Sequence, residues 1–151
     1  QVAGRAGRGE HRGEEIVQTL FPQHYSIRLA CAQDYNAFFA KELEYRRGMR
    51  YPPVVAMINV VVRGRTHEAA MQAAADLASR TSAHSNPARG SFALLGPAPA
   101  PLTKLRGEHR AQFFLKGTSR RAMREAVRQA LKELPEIARK ASVDVDPLTV
   151  L

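Results

Sequence analysis

From residue 54 onward, the sequence predicts an α+β domain in which a largely antiparallel four-stranded sheet carries two helices on one face. Three observations predict it: runs of strand length, two stretches with apolar residues at helical spacing, and their order, which is strand, helix, strand, strand, helix, strand. This order is the split β-α-β, or ferredoxin-like, arrangement. Because many unrelated proteins share it, the fold class carries little functional information.

The first part of the chain predicts a different organisation. Residues 1–13 are rich in Gly and Arg and lack hydrophobic periodicity, which predicts a loop. Residues 14–21 (EEIVQTLF) predict a strand that ends at the following proline, and residues 22–31 predict a short helix. Asp34 is the predicted N-cap of a longer helix with an aromatic stripe, and Gly48 is its predicted C-cap.

The second part begins after a pair of prolines. The β-branched run from Val54 to Arg63 predicts a buried strand, and Thr66 is the predicted N-cap of a helix with one face of small residues. Residues 92–95 predict a short strand. Three prolines remove ladder donors from residues 97–101, so we expect this stretch to be a stiff connector or a sheet edge.

The last elements complete the predicted sheet. Residues 102–105 and 111–116 predict two strands around a turn at residues 106–109, and Ser119 is the predicted N-cap of the second helix. Residues 143–146 (VDVD) alternate as a last strand. The apolar face of the second helix consists of Met123, Ala126, Val127, Ala130, Leu131 and Leu134.

Composition bounds the classes of protein that are possible. The 151 residues are 44% hydrophobic, which excludes wholesale disorder and suits one domain, or one domain with a fragment of another. No apolar stretch reaches 18 residues, so a membrane-spanning helix is excluded. The chain opens without Met or a signal region, from which we expect a piece of a longer protein.

The net charge of +9 is concentrated in one region. Residues 104–128 contain eight Lys or Arg and two Glu, which is +6 of the total. Concentrated positive charge attracts nucleic acid, because neutralising phosphates releases counterions. Charge alone leaves two interpretations open, a nucleic-acid-binding surface and an ordinary solvated basic surface.

The side chains most often used for metal binding do not predict a metal site. Four histidines, His24, His67, His84 and His109, are expected in loops or at helix starts without paired carboxylates. Two acidic residues of the last strand, Asp144 and Asp146, share a face and are expected to cap nearby backbone groups.

The first eight residues carry the most specific pattern. Gln1, Gly4, Arg5, Gly7 and Arg8 form Q-x-x-G-R-x-G-R, which resembles motif VI of superfamily 2 helicases. Guanidinium groups bind phosphate oxygens with two donors and stabilise charge on a transferred γ-phosphoryl group. The alternative is a Gly-Arg-rich loop that binds RNA or nothing. No G-x-x-x-x-G-K-[ST] loop is present, so this chain alone is expected not to hydrolyse ATP.

Further blocks resemble the PriA (primosomal protein N′) family. They are collinear over nearly the whole chain: Asp34–Arg47 closing on Tyr51–Pro53, the LGPAPAP run Leu95–Pro101, Leu105–Gly107 with Arg110, Gln112 and Leu115–Lys116, and Val143–Pro147. The resemblance divides the chain into residues 1–31, the end of a RecA-like second helicase lobe with motif VI, residues 32–53, a connecting helix, and residues 54–151, a C-terminal DNA-binding domain similar to a small ribosomal protein.

The resemblance implies a bacterial, cytoplasmic replication-restart helicase. Such proteins recognise abandoned forks, use ATP and Mg²⁺ to unwind DNA from 3′ to 5′, and contact single-stranded-DNA-binding protein and other primosome proteins. Their zinc ions are held by cysteines of an upstream insertion, so we expect the single Cys31 to be a buried structural residue. The aromatic stripe of Tyr35, Phe38 and Phe39 is expected to pack against the motor lobe.

The resemblance also implies roles for individual residues. Gln1 and Gly4 would contact nucleotide, and Arg5 and Arg8 would be the catalytic phosphate-sensing fingers. The candidates for DNA contact are Lys104, Arg106, Arg110 and Lys116, and Gln112 is the candidate for a partner-protein contact.

One departure from the family bears on these roles. Where the family commonly has an Arg-aromatic-Arg-Trp run, this chain has Glu108-His109-Arg110-Ala111. The absent aromatic residue weakens the case for base stacking, and the changed segment puts the partner contact near Gln112 in doubt.

Two other classes of function compete with this interpretation. A non-catalytic fork-DNA-binding module of a degenerate PriA-like protein would share the same C-terminal domain, and upstream motor motifs would distinguish it. A ferredoxin-like metabolic enzyme would need a convergent pocket of titratable groups, which this sequence does not predict.

Overall fold

The computed structural model describes residues 14–86, 88 and 90–147. The contacts within the chain divide it into two units, residues 1–47 and residues 48–151. Each unit has its own secondary structure and is described separately below.

The first unit contains two helices, α1 (Tyr25–Cys31) and α2 (Tyr35–Gly48). The predicted cap is confirmed, because Asp34 Oδ1 accepts a hydrogen bond from the Ala37 N–H at 2.9 Å. Glu42 of α2 joins the helices: one carboxylate oxygen accepts from the Tyr25 hydroxyl at 2.5 Å and the other from Arg46 Nε at 2.6 Å. The hydrogen bond from Tyr25 is the main cause that lowers the pKa of Glu42.

Two predictions for the first unit are wrong. Residues 14–21 form no strand, since none of the described strands pairs with them and the side chains of Ile16 and Leu20 are about 90% exposed. A segment of strand-forming residues that lacks a neighbouring strand has no partner for its backbone N–H and C=O groups, so it does not form a strand. Cys31 is exposed rather than buried, because it lies at the end of α1, which buries none of its residues.

The second unit is an antiparallel sheet with helices. Its elements are β1 (Ala56–Gly64), α3 (His67–Ala83), β2 (Phe92–Leu105), β3 (Glu108–Gly117), α4 (Arg120–Glu133), α5 (Pro135–Ala138) and β4 (Ala141–Val145). The strand order is β2-β3-β1-β4, and every neighbouring pair is antiparallel. This α+β arrangement agrees with the predicted split β-α-β domain. The short α5 was not among the predicted elements.

The core lies between one face of the sheet and the helices. Its largest fully buried side chains include Ile58 of β1, Phe113 and Leu115 of β3, Leu77 of α3 and Met123 of α4. The odd-numbered residues of β3 therefore face the helices, and the even-numbered residues from Arg110 to Lys116 face the other side.

The two longer helices of this unit, α3 and α4, start at the predicted caps. Thr66 Oγ1 accepts from the Ala69 N–H at 3.1 Å, and Ser119 Oγ accepts from the Ala122 N–H at 3.2 Å. Each cap satisfies a backbone donor that the helix leaves unpaired, so these two residues set where α3 and α4 begin.

The proline-rich stretch belongs to a strand. The strand predicted over residues 92–95 is too short, since β2 continues through the prolines to Leu105. Of the two expectations for residues 97–101, the sheet edge is confirmed and the connector is wrong, because β2 is the outer neighbour of β3. Its pairing shifts register between Leu95 and Ala98 and again between Pro99 and Lys104. Proline is tolerated here because an edge strand needs ladder hydrogen bonds on one side only.

Candidate nucleic-acid interface

A tight turn joins β2 to β3 and presents basic residues. Leu105 pairs with Glu108, and the two residues between them, Arg106 and Gly107, both have positive φ, +50° and +85°. Positive φ at both central positions is the geometry of a type I′ hairpin turn, whose twist matches that of the strands. The turn is thus two residues shorter than the predicted one at 106–109.

The hairpin carries two of the predicted DNA-contact residues in exposed positions. Lys104 and Arg106 are exposed, as is every residue from 101 to 107. Lys104 lies opposite His109 in the register. No ion pair involves either cation among the residues that the structure describes. Both charges are therefore available to an external anion.

Arg110 lies beside a cation that the sequence did not single out. Arg63 of β1 is directly opposite Arg110 of β3, and both lie on the sheet face away from the helices. Glu108 Oε2 accepts from Arg63 Nη1 at 3.2 Å and neutralises part of this charge. Arg63 was missed because only the β1–β3 register brings it to Arg110, and no local signal reports that register.

Lys116 occupies a different environment. Its Nζ donates to the Met49 carbonyl at 2.8 Å and lies 4.2 Å from the centroid of the Tyr51 ring. Six residues separate it from Arg110 on β3, which corresponds to about 20 Å along a strand. The structure therefore brings Lys104, Arg106 and Arg110 to one end of the sheet and leaves Lys116 at the other end.

Gln112 lies in the middle of the sheet. It is opposite Val61 on one side and Ala98 on the other, and only 8% of it is exposed. A partner protein would reach it only through this small exposed fraction.

His84 has a carboxylate partner, since its Nε2 lies 2.7 Å from Glu133 Oε1. The expectation that His84 lacks a paired carboxylate is therefore wrong.

Asp146 caps a backbone group, as expected: its Oδ1 accepts from the Met57 N–H at 3.3 Å. Its other oxygen pairs with Arg120, and this hydrogen bond is the main cause that lowers the pKa of Asp146. Within residues 14–86, 88 and 90–147, no three His, Cys, Asp or Glu side chains are grouped to hold a metal ion.

The nucleotide-contact candidates Gln1, Gly4, Arg5 and Arg8 lie outside the described residues. Among the helices that the structure describes, none is long and apolar enough to cross a membrane.

Comparison with known proteins decides the family. A family model described as the primosomal protein N C-terminal domain matches residues 47–148, which is the second unit almost entirely. The chain belongs to the PriA family. The match confirms the resemblance seen in the sequence blocks.

Curated relatives extend the similarity to the whole chain. Each is called replication restart protein PriA: that of Bacillus subtilis is 32% identical over 100% of this chain, that of Haemophilus influenzae 32% over 97%, and that of Treponema pallidum 34% over 100%. The chain spans 19%, 20% and 23% of these PriA proteins, about a fifth of their length. Among solved structures, the de novo designed protein Foldit4 aligns with 60% of the chain at 13% identity and a TM-score of 0.41, a likeness too distant to support an argument.

Proposed function

We propose that this chain is part of a PriA-type replication restart protein and that its residues 54–151 bind branched DNA. The observation that carries the proposal is the exposed basic end of the sheet, where Lys104 and Arg106 of the hairpin lie beyond the Arg63–Arg110 pair. Family membership supports it, because the relatives are named for replication restart.

The chemistry of this end of the sheet favours contact with the phosphate backbone. Lys104 and Arg106 have long side chains and are exposed, and the hairpin residues 101–107 contain no aromatic side chain on which a base could stack. Such contacts depend on charge and shape more than on sequence. Binding should therefore recognise forked DNA without a strong sequence preference and should weaken steeply with salt.

Salt-dependent binding of the 151-residue chain tests this proposal. Affinity for a fluorescein-labelled fork is measured by anisotropy between 50 and 300 mM NaCl, and we expect it to fall as the salt concentration rises. In a plot of log affinity against log salt concentration, the magnitude of the slope should be smaller by roughly 2 in the Lys104→Ala/Arg106→Ala variant. The matched control, Arg121→Ala/Arg124→Ala, removes two exposed charges of α4, which begins beyond the Lys116 end of β3, and should leave the slope less changed. An affinity that is flat across these salt concentrations would refute the assignment.

In the longer protein, we propose ATP-dependent unwinding of DNA with 3′-to-5′ polarity. Arg5 and Arg8 would contact the γ-phosphate of ATP, bound with Mg²⁺, and Gln1 and Gly4 would lie against the nucleotide. The motif VI pattern supports this role, because two arginines three residues apart can converge on one phosphate. As in the family, the longer protein would bind zinc and would contact single-stranded-DNA-binding protein and other primosome proteins. Gln112 is a candidate for a partner contact.

ATPase measurements test the nucleotide role. In a longer protein that carries both motor lobes, Arg5→Ala or Arg8→Ala should abolish DNA-stimulated ATP hydrolysis and leave fork binding intact. Arg12→Ala, a basic residue outside the motif, is the matched control. Wild-type turnover in the Arg5 and Arg8 variants would overturn the finger assignment. No turnover even in the unmodified protein would favour the non-catalytic fork-binding module.

A further inference from the structure

A groove lies between helix α4 and the outer strand β4. Its volume is about 760 Å³, and its floor is apolar, formed by Val127 and Leu131 of α4 with Val143 and Val145 of β4. The two valines of β4 are 39% and 37% exposed. An apolar floor of this kind, open to solvent beside a strand, is typical of a site that takes up apolar side chains.

The strand at the edge of this groove has free backbone groups. Hydrogen bonds run from the Arg63 N–H to the Lys140 carbonyl and from the Asp146 N–H to the Met57 carbonyl, so the even-numbered residues of this stretch point their backbone groups at β1. By alternation, Val143 and Val145 point theirs away from β1. β4 is last in the strand order, and no described strand pairs with that outer side. The edge can therefore accept one more strand.

The rim of the groove is cationic. Arg121, Arg124 and Arg128 line it from α4 at the spacing i, i+3 and i+7, which places them along one side of the helix. Arg128 pairs with Glu125 at 2.9 Å. Within the described part of the chain, Arg121 and Arg124 have no carboxylate partner. Two guanidinium groups beside the apolar floor thus lack a counter-ion.

We propose that this groove binds an extended peptide segment of a partner protein, which adds to β4 as a fifth strand. Residues of the segment that face the helices would place apolar side chains on Val143 and Val145 and flanking carboxylates on Arg121 and Arg124. Residues on the other face would lie beside Ser142 and Asp144 and would be uncharged, because a carboxylate there would repel Asp144. This inference goes beyond DNA binding and ATP hydrolysis.

A peptide fits these features better than nucleic acid does. A phosphate backbone would use the arginines but would leave both the apolar floor and the free N–H and C=O groups of β4 without a partner. An extended peptide satisfies all three, since its backbone pairs with the edge, its apolar side chains cover the valines and its carboxylates pair with the arginines.

Two capped, fluorescein-labelled peptides of identical composition provide the test. Asp-Ser-Val-Thr-Val-Ser-Asp presents both carboxylates and both valines on one strand face, whereas Ser-Asp-Val-Thr-Val-Asp-Ser moves the carboxylates to the other face. We expect the first to bind the 151-residue chain at least fivefold more tightly in anisotropy titrations. It should also protect the Val143 and Val145 amides from hydrogen exchange.

Variants of the chain and of the peptide complete the test. Arg121→Ala/Arg124→Ala should weaken the first peptide at least tenfold, whereas Lys132→Ala/Arg139→Ala, with the same change of charge, should weaken it less than twofold. N-methylation of the peptide backbone at its two Val residues, which blocks strand pairing, should abolish binding. Equal affinity of the two peptides, or unchanged exchange at Val143, would overturn the proposal. So would a fork DNA that protects Val143 while neither peptide binds, because the groove would then be a nucleic-acid surface.

Discussion

Arg63 and Arg110 lie directly opposite each other on neighbouring strands, on the sheet face that the helices leave open. Two like charges at directly opposed positions destabilise a sheet. Glu108 offsets part of that cost through its 3.2 Å ion pair with Arg63. These two adjacent cations can neutralise the phosphates of a bound nucleic acid. They lie at the same end of the sheet as the hairpin that carries Lys104 and Arg106.

Removing the charge of Glu108 should strengthen DNA binding. In Glu108→Gln, Arg63 and Arg110 lose their nearby carboxylate, so fork affinity at 50 mM NaCl should rise about threefold, with a small loss of stability, below about 1 kcal/mol, since the ion pair is half-exposed. Anisotropy and thermal unfolding measure the two effects. Glu44→Gln, whose carboxylate pairs with the exposed Lys41 in the first unit, is the matched control and should leave affinity unchanged. Weaker binding in Glu108→Gln would contradict the location of the interface.

Lys116 should contribute to stability rather than to DNA affinity. Lys116→Met loses the hydrogen bond to the Met49 carbonyl and the contact with the Tyr51 ring, so it should reduce the free energy of unfolding by about 1 kcal/mol. Fork affinity should change less than twofold. Lys104→Met should show the opposite pattern. A tenfold loss of fork affinity in Lys116→Met with unchanged stability would show that Lys116 contacts DNA.

Gly64 should not tolerate a side chain. A Cβ at Gly64 would lie 2.5 Å from the backbone nitrogen of Ala70, in the first turn of α3, so Gly64→Ala must displace the helix from the sheet. We expect a loss of about 2 kcal/mol or more, measured by urea unfolding. Gly48→Ala is the matched control, because a Cβ there meets nothing within 4 Å, and it should be neutral or stabilising. Equal stability of the two variants would contradict the close approach of β1 and α3.

Asp146 should make stability depend on pH in the acidic range. The hydrogen bond from Arg120, with help from the Met57 N–H, holds the pKa of Asp146 below its ordinary value. The unfolded chain therefore takes up this proton at a higher pH than the folded chain. The contribution is present at neutral pH and is lost as the pH falls from about 4 through the lowered folded-state pKa.

The variant Asp146→Asn should show this effect as a difference in stability from the wild type that becomes smaller in acid. Asp146→Asn should be less stable than the wild type by about 1 kcal/mol at pH 7, and the difference should shrink as the pH falls below about 4, as measured by chemical unfolding at several pH values. Asp144→Asn is the matched control, because it removes a neighbouring exposed carboxylate of β4 that forms no ion pair among the described residues. A constant difference between Asp146→Asn and the wild type from pH 7 to pH 3 would contradict the role of this ion pair.

Much of the secondary structure could be predicted, because its signals are local. Asp34, Thr66 and Ser119 cap the helices that they were expected to cap, since a cap needs only a side-chain oxygen and the next three backbone N–H groups. The β-branched run of β1 and the alternation in β4 identified those strands for the same reason. Strand propensity failed at residues 14–21, where pairing requires a neighbour that the sequence cannot specify.

The sequence by itself determined most of the element types, the family motifs and the excess of positive charge. Only the tertiary structure decided that the proline run is an edge strand, that Cys31 is exposed and that Lys116 donates to the Met49 carbonyl. It also decided that Arg63 joins Arg110 and that α4 and β4 form a groove. The physical reason is that register and helix placement depend on contacts between residues far apart in the chain, which no local pattern of side chains reports.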